Sequence, residues 1–214
     1  MSHPFAEYWR WSTGYRLSQD IVKDLSDNAP PDLVEQKGTT ITSSIGGALT
    51  RDSRDFIAAP SKGGQTAITL DFAGLGGDSQ FYKVNFLQTY FWPIWFGHIL
   101  GTRFETGVVE GWGGKEVPIY ERYYLGGPNT IRAFKFRSVS PVDDAGFKTG
   151  GTSQVLANVE YIIPLPFGLR AAFFSTSVMS TGSAPRSIPR ICGMGRVRVY
   201  DGSHRSGLSG STMV

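Results

Sequence analysis

Tyr120-Glu-Arg-Tyr-Tyr-Leu-Gly-Gly-Pro-Asn-Thr-Ile-Arg-Ala-Phe134 decides how the rest of the chain is read. It lies between two alternating, aromatic-rich segments, which makes it a loop, yet it carries two arginines, a glutamate and four aromatics. Gly126, Gly127 and Pro128 force a tight turn, because glycine tolerates positive φ and proline pre-sets φ near about −65°. A loop that only joined two strands would not need this chemistry.

Outward from the loop, the first 174 residues read as a succession of strands. From Phe5, the odd positions Phe5, Trp9, Trp11, Tyr15 and Leu17 are mostly apolar, and the even ones, Arg10, Ser12, Gly14, Arg16 and Ser18, are polar or small. The same period of two returns in 41–51, in 67–73 (Ile68, Leu70, Phe72), and in 81–86 (Tyr82, Val84, Phe86 against Lys83, Asn85). It continues in 99–109 (Leu100, Phe104, Val108 against Arg103, Glu105), in Phe134 and Phe136 against Lys135 and Arg137, in 154–163, and in a last run over 169–174. Alternation of this kind is the signal of a half-buried strand. About eight strands result, so the fold class is all-β and antiparallel.

Two architectures satisfy that pattern. A soluble β-sandwich hides its apolar face in a core; a transmembrane β-barrel turns that face to lipid. Trp9, Trp11, Tyr15, Tyr82, Tyr90, Phe91 and Trp92 cluster near strand ends, which suits the aromatic girdles of a barrel. The connections 18–38 and 110–130 are long and 73–79 is short and glycine-rich, which reads as long loops on one side and short turns on the other. No run of about 18 apolar residues is present, so a transmembrane helix is excluded while a barrel is not. The start, Met1-Ser-His-Pro-Phe5, lacks the charged and apolar regions of a signal peptide, and the expectation is a chain that begins inside a longer protein.

The loop resembles the signature loop of the BamA-type outer-membrane barrel assembly factors and their surface-antigen relatives. Their pattern runs Tyr-Glu-Arg, two aromatics, Leu-Gly-Gly-Pro, a hydrophobic residue and Arg-Gly-Phe. Tyr120, Glu121, Arg122, Leu125, Gly126, Gly127, Pro128, Arg132 and Phe134 match it, and Ala133 departs from the family glycine. The resemblance implies a partial outer-membrane β-barrel over residues 1–174, about eight strands of a sixteen-stranded family barrel, with the signature loop at 110–134. It implies a loop folded into the lumen, with Arg132 meeting an acid on the inner wall, for which Glu160 is the candidate; Thr176 stands where a second family acid is expected. Arg122, nearer the loop's outer part, is expected to stay solvated. It further implies outer-membrane protein assembly in a Gram-negative bacterium, with the lipid bilayer, nascent β-barrel proteins and assembly-complex lipoproteins as partners, and no enzyme activity. Within the class the alternative is a translocation pore related to two-partner secretion; from another class, a soluble all-β binding or hydrolytic domain.

At Ser175 the character changes. Residues 175–214 hold nine serines, three of the four methionines, the only cysteine (Cys192), and five arginines against one acid, Asp201. The family strand at this point continues Asp-x-Gly-Asn-Val, and later Trp-x-Ser-Pro-Ile-Gly-Pro-Leu-Arg-Leu-Asp-Tyr. Back-translation recovers both. Ser175-Thr-Ser-Val-Met179 written TCG ACG TCG GTA ATG, followed by TC, reads Asp-Val-Gly-Asn-Val from its third base. At the same offset, synonymous codons for Asp201 to Met213 yield Trp-Val-Ser-Pro-Ile-Gly-Pro-Leu-Arg-Leu-Asp-Tyr. The expectation is therefore a frameshifted, non-native tail, produced by loss of one base near the Phe174 codon.

Other chemistry is sparse. His3, His98 and His204 are scattered, so no metal-ligand spacing or Ser/His/Asp arrangement emerges and no cofactor is implied. Cys192 stands in no redox motif. The basic excess belongs to the tail and forms no stripe interleaved with stacking aromatics, which argues against a nucleic-acid partner.

Overall fold

A computed structural model describes residues 1–23, 34, 36–127, 130–131, 134–142, 146–166, 169–181, 191–194 and 198–200. Alternation becomes strand throughout: β1 Ser2–Ala6, β2 Trp9–Val22, β3 Gly38–Asp52, β4 Gly63–Gly77, β5 Phe81–Pro93, β6 Ile99–Gly111, β7 Ser153–Pro164 and β8 Arg170–Thr181. They pair antiparallel in sequence order, each with the next, in one sheet. Two short strands, β9 Ile191–Met194 and β10 Arg198–Tyr200, lie end to end along the far edge of β8.

Pairing fixes which residues share a face. Trp11, Leu49, Ile68 and Phe86 fall in one register row, and Tyr15, Ile45, Phe72 and Tyr82 in another. This outer face stays exposed although it is apolar: Tyr15 is 62%, Leu17 64% and Leu70 54% accessible. Water would leave such a surface as an aggregation site; lipid is the solvent that accepts it. Polar groups on it find partners within the sheet, as Thr66 donates to Gln88 at 2.8 Å and Tyr15 bonds Ser43 at 2.9 Å. The opposite, inner face carries Arg16, Asp71, Lys83, Asn85, Arg103, Glu105, Asn158 and Glu160.

The core sits on that inner face, between the sheet and the connection that joins β6 to β7. Two clusters form it: Ala73, Phe81, Val109, Val117 and Tyr123; and Leu125, Ile131, Leu156 and Val178; a third, Ile99, Ile162 and Ala172 with Phe91 against it, is made by strand residues alone, toward the other end.

Several sequence expectations need correction. The run from Phe5 is two strands, because the chain turns at Glu7 and Tyr8. Phe134 to Arg137 is no strand: Arg137 has φ of 53°, and Ser138 N–H closes a turn onto the Lys135 carbonyl at 3.1 Å. The short turn after β4 shares its end with the long connections 23–37 and 112–152, while 7–8, 53–62, 94–98 and 165–169 form the other end. Short and long do not sort by side as simply as the lengths suggested. β8 runs through residue 174 to Thr181, with Thr176 and Val178 buried on the inner face, so the strand crosses the boundary drawn at the tail. Pairing with β7 supplies the reason, since main-chain hydrogen bonds accept almost any side chain. Both sheet edges are open among the described residues, as two open edges were expected: β1 and the far half of β2 form one, and the short β9 and β10, laid along β8, form the other.

Candidate functional site

The connection from 112 to 152 leaves β6 at Gly111, folds back over the inner wall, and returns at β7. Its local structure is a loose antiparallel ribbon. Tyr123 and Gly151 exchange backbone hydrogen bonds at 2.8 and 2.7 Å, Leu125 and Val139 at 2.8 and 2.9 Å, and Val142 bridges Lys148. At the tip, Gly126 and Gly127 take φ of 112° and 102°, a region that a side chain strains. Thr130 pins the turn: its hydroxyl accepts from Gly126 N–H at 2.9 Å while its own N–H donates to the Gly127 carbonyl at 3.2 Å.

Two sets of contacts seat the ribbon. The first is polar and sits on β5. Tyr123 is buried, and its hydroxyl donates to Asn85 Oδ1 at 2.6 Å, while Asn85 donates onward to Thr69 Oγ1 at 3.1 Å. Burial, and then the charges of Glu105, Asp71 and Glu121, push the Tyr123 phenol well above its ordinary pKa, so it stays a donor. Lys83 lies 5.0 Å from the Tyr123 ring centre and binds Glu121 twice, through its backbone carbonyl at 2.8 Å and its carboxylate at 3.3 Å. Arg16 of β2 approaches the same carboxylate at 4.0 Å. Gly107 of β6 makes the close approach possible: a Cβ there would lie 2.5 Å from the Tyr123 hydroxyl and 2.6 Å from Asn85 Oδ1.

The second set is apolar and sits on β7 and β8. Leu125 and Ile131 pack with Leu156 and Val178, and Phe134 and Val139 close over them. The ribbon thus bridges the β5 wall and the β7–β8 wall. It leaves a cleft of about 560 Å³ over β2 to β4, lined by small residues such as Ser12, Gly14, Ser44 and Gly46, with Arg16 and Asp71 beside them.

Arg122 departs from expectation. Its side chain is only 7% exposed, and it donates to the carbonyls of Val117 at 3.1 Å and Thr149 at 3.2 Å, with Glu116 at 3.5 Å. It ties the two arms of the ribbon together and is not solvated. Gly150 packs against its Cβ and against the Tyr124 ring, and the Arg137 guanidinium lies over that ring at 4.0 Å. Tyr120 is half-buried in the loop. Pro128, Arg132 and Ala133 lie outside the described residues. Glu160 is half-buried on the inner face, between Gly101 of β6 and Phe174 of β8 in register. Nearby, Glu105 is held by Arg103 at 2.6 Å and by Gln154 at 3.1 Å.

Sequence reasoning singled out the loop but missed its receptors. Lys83, Asn85 and Gly107 were visible as polar or small residues on the inner parity of their strands, a signal that marks the wall without saying which positions the loop touches. The arrangement is one of positioning: hydrogen bonds and packing hold the loop against the inner wall.

The comparisons with known proteins agree with this geometry. The model of the Omp85 superfamily domain matches residues 1–184. The outer membrane protein assembly factor BamA of Nitratidesulfovibrio vulgaris is 35% identical over 163 residues, 74% of this chain and 20% of that protein. The human sorting and assembly machinery component 50 homolog is 30% identical over 162 residues, 73% of this chain and 34% of that protein. The crystal structure of BamA from Haemophilus ducreyi lacking POTRA domains 1-3 superposes with a TM-score of 0.70 at 19% identity, covering 85% of this chain and 40% of that one. The chain therefore spans between a fifth and two fifths of the proteins it matches. It belongs to the Omp85 superfamily.

Proposed function

We propose that this sheet and its inward loop form part of an outer-membrane assembly factor that inserts and folds β-barrel proteins, and that the tail after Phe174 is read in a shifted frame. The observation that carries the first half is the seating of residues 120–127 on the inner wall, in a chain whose relatives are named as assembly factors. The work of such a device is non-covalent. A weak sheet edge in locally perturbed lipid offers its main-chain groups to an incoming strand, which pairs by β-augmentation. The loop's part is to hold the wall's shape while that edge opens. Arg132 reaches Glu160 in this reading, and its guanidinium can fork onto the carboxylate bidentately, fixing position as well as charge. The setting is the outer membrane of a Gram-negative bacterium, with the bilayer, nascent barrel proteins and assembly-complex lipoproteins as partners.

The tail reading rests on the two family signatures recovered at one offset. Thr176 occupies the place of the second wall acid and is buried beside Asn158 in register, where a carboxylate would face the same wall.

Complementation of a barrel-assembly depletion strain tests both halves with three variants: the Thr176→Asp chain, the chain with one base restored near the Phe174 codon, and that repaired chain joined to any upstream strands its gene encodes. Rescue is expected from the third alone. Rescue by Thr176→Asp would overturn the frameshift reading, and failure of the third with normal expression would overturn the assembly role.

A further inference from the structure

The connection between β5 and β6 is built unlike an ordinary hairpin turn. Residues 84–102 contain no aspartate, glutamate, lysine or arginine, although they include a whole turn that faces solvent. The turn itself is well formed: Ile94 N–H donates to the His98 carbonyl at 2.8 Å and His98 N–H to the Trp95 carbonyl at 3.2 Å. Its corner residues are Phe96, with φ of 57° and ψ of 22°, and Gly97, with φ of 74°. Positive φ at both corners is the mark of a type I′ turn, where asparagine, aspartate or glycine is favoured at the first corner because a Cβ is strained there. A bulky aromatic in that conformation is an outlier. The fold rewards it little, since Phe96 is 90% exposed and Trp95 68%, and the Phe96 ring has only a tilted approach to His98, 6.4 Å between centroids, beside it. A strained backbone that displays an apolar ring to the outside points to a role outside the fold.

Three observations identify the occupant. The turn continues the lipid-facing surface: the Trp92 ring lies tilted against Tyr90, 4.5 Å between centroids, on the outer face, and Trp92, Leu100 and Tyr161 share a register row beside it. It is braced against that face, because His98 Nδ1 is hydrogen-bonded to the Tyr161 hydroxyl at 2.6 Å with the rings edge to face. The next turn at the same end, after β7, also shows an exposed leucine, Leu165. The connection 53–62 at this end differs in carrying charge and in being tied to β8, where Arg170 donates to the Ala59 and Pro60 carbonyls at 2.8 and 3.2 Å, while its Phe56 and Ile57 are exposed as well. Amphipathic rings ahead of an apolar band, with no charge among them, fit the headgroup–acyl boundary of a bilayer.

We infer that the Trp95–Phe96 turn is an interfacial anchor that inserts its two rings into the lipid leaflet at the end opposite the inward loop's connection, setting the depth of β5 and β6. This rests on the outer face meeting lipid and on nothing in the assembly role.

The test uses the full chain refolded into phosphatidylcholine bilayers, with Trp9, Trp11, Trp92 and Trp112 replaced by phenylalanine so that Trp95 alone emits. Bromines are placed near the headgroup or near the chain end of the lipid. Trp95 is expected to be quenched more by the shallow bromines than the deep ones, and to be shielded from aqueous iodide. Phe96→Asn, which suits the turn and so spares folding, is expected to cut the shallow quenching roughly two-fold. A second single-tryptophan chain keeping only Trp11, on the strand face, reports embedding of the sheet. If Trp11 is quenched by lipid while Trp95 is quenched by iodide as freely as a short peptide, the anchor is overturned and the barrel stands. Unchanged shallow quenching in Phe96→Asn also overturns it. If neither tryptophan meets lipid, the lipid-facing sheet fails as well.

Discussion

Gly107→Ala perturbs the seat of the loop with the smallest possible change. The added Cβ would stand 2.5 Å from the Tyr123 hydroxyl, 2.6 Å from Asn85 Oδ1 and 2.8 Å from Tyr123 Cζ, all well inside van der Waals contact. Tyr123 cannot swing aside freely, because its ring is packed with Phe81, Val109 and Val117. The substitution therefore breaks the 2.6 Å hydrogen bond and overpacks the cluster. A lost hydrogen bond costs about 1 kcal/mol and overpacking about 1–3 kcal/mol, so docking should weaken by about 2–4 kcal/mol, a roughly 30- to 900-fold shift. Tryptic cleavage after Arg122 reads this directly in the detergent-folded chain, since that side chain is 7% exposed and must come out to be cut. Tyr123→Phe alone should speed cleavage only about five-fold, the worth of one hydrogen bond. The double variant should cost less than the sum, because removing the hydroxyl clears the nearest clash. Gly14→Ala, whose Cβ meets nothing within 4 Å, is the control. Cleavage of Gly107→Ala at the parent rate, or strict additivity in the double variant, would refute the reasoning.

Arg122→Ala should loosen the two arms of the loop by about 2–3 kcal/mol, because two part-buried carbonyls lose a charged donor; hydrogen exchange at the Tyr123 and Gly151 amides measures it, and unchanged protection would contradict it. Asp55 accepts from the Ser61 hydroxyl and from the backbone N–H groups of Ser61, Lys62 and Phe56, and these bonds hold its carboxyl far below the ordinary range. A depressed folded pKa gives stability that is complete above the unfolded value near about 4 and is lost as pH falls through the folded one. Exchange protection of the Ser61 and Lys62 amides should thus persist through mild acid and fade only in strong acid, whereas Asp55→Ala should lack it at neutral pH; equal protection in both chains would sink this. Without detergent the chain should sediment, since Tyr15, Leu17, Leu70 and Phe104 face outward with the β1 edge unpaired; a monomer that unfolds cooperatively in buffer would argue for a soluble fold.

The strands were legible because a sheet with unlike solvents on its two faces imposes strict alternation, as in Trp9 to Leu17. The loop was legible because glycine, proline and arginine stand together where a plain connection has no use for them. What alternation cannot show is distance between strands. Nothing in the spacing of Lys83, Asn85 and Gly107 says that Tyr123, some way along the chain, will land among them. Leu156 is illegible for a related reason: an apolar residue on the polar parity looks like noise until the loop covers it. Arg122 was read as solvated because a loop charge usually is, and only its burial against Val117 and Thr149 reveals a tie within the loop. The strand past Phe174 was hidden by composition, since main-chain pairing with β7 outweighs a serine-rich sequence.

The claim that residues 120–127 are seated on the inner wall of a lipid-embedded sheet has a sharp test in strand parity. Leu125 and Leu156 share one buried cluster, while Val155, the next residue on β7, faces the opposite side of the sheet. With Cys192→Ser, cysteine pairs are placed at Leu125 with Leu156 and at Leu125 with Val155, and the chain refolded in lipid is treated with a short bismaleimide. Crosslinking of 125 to 156 and not to 155 is the expected result; equal crosslinking of both pairs, or of neither, would contradict the seating of the loop.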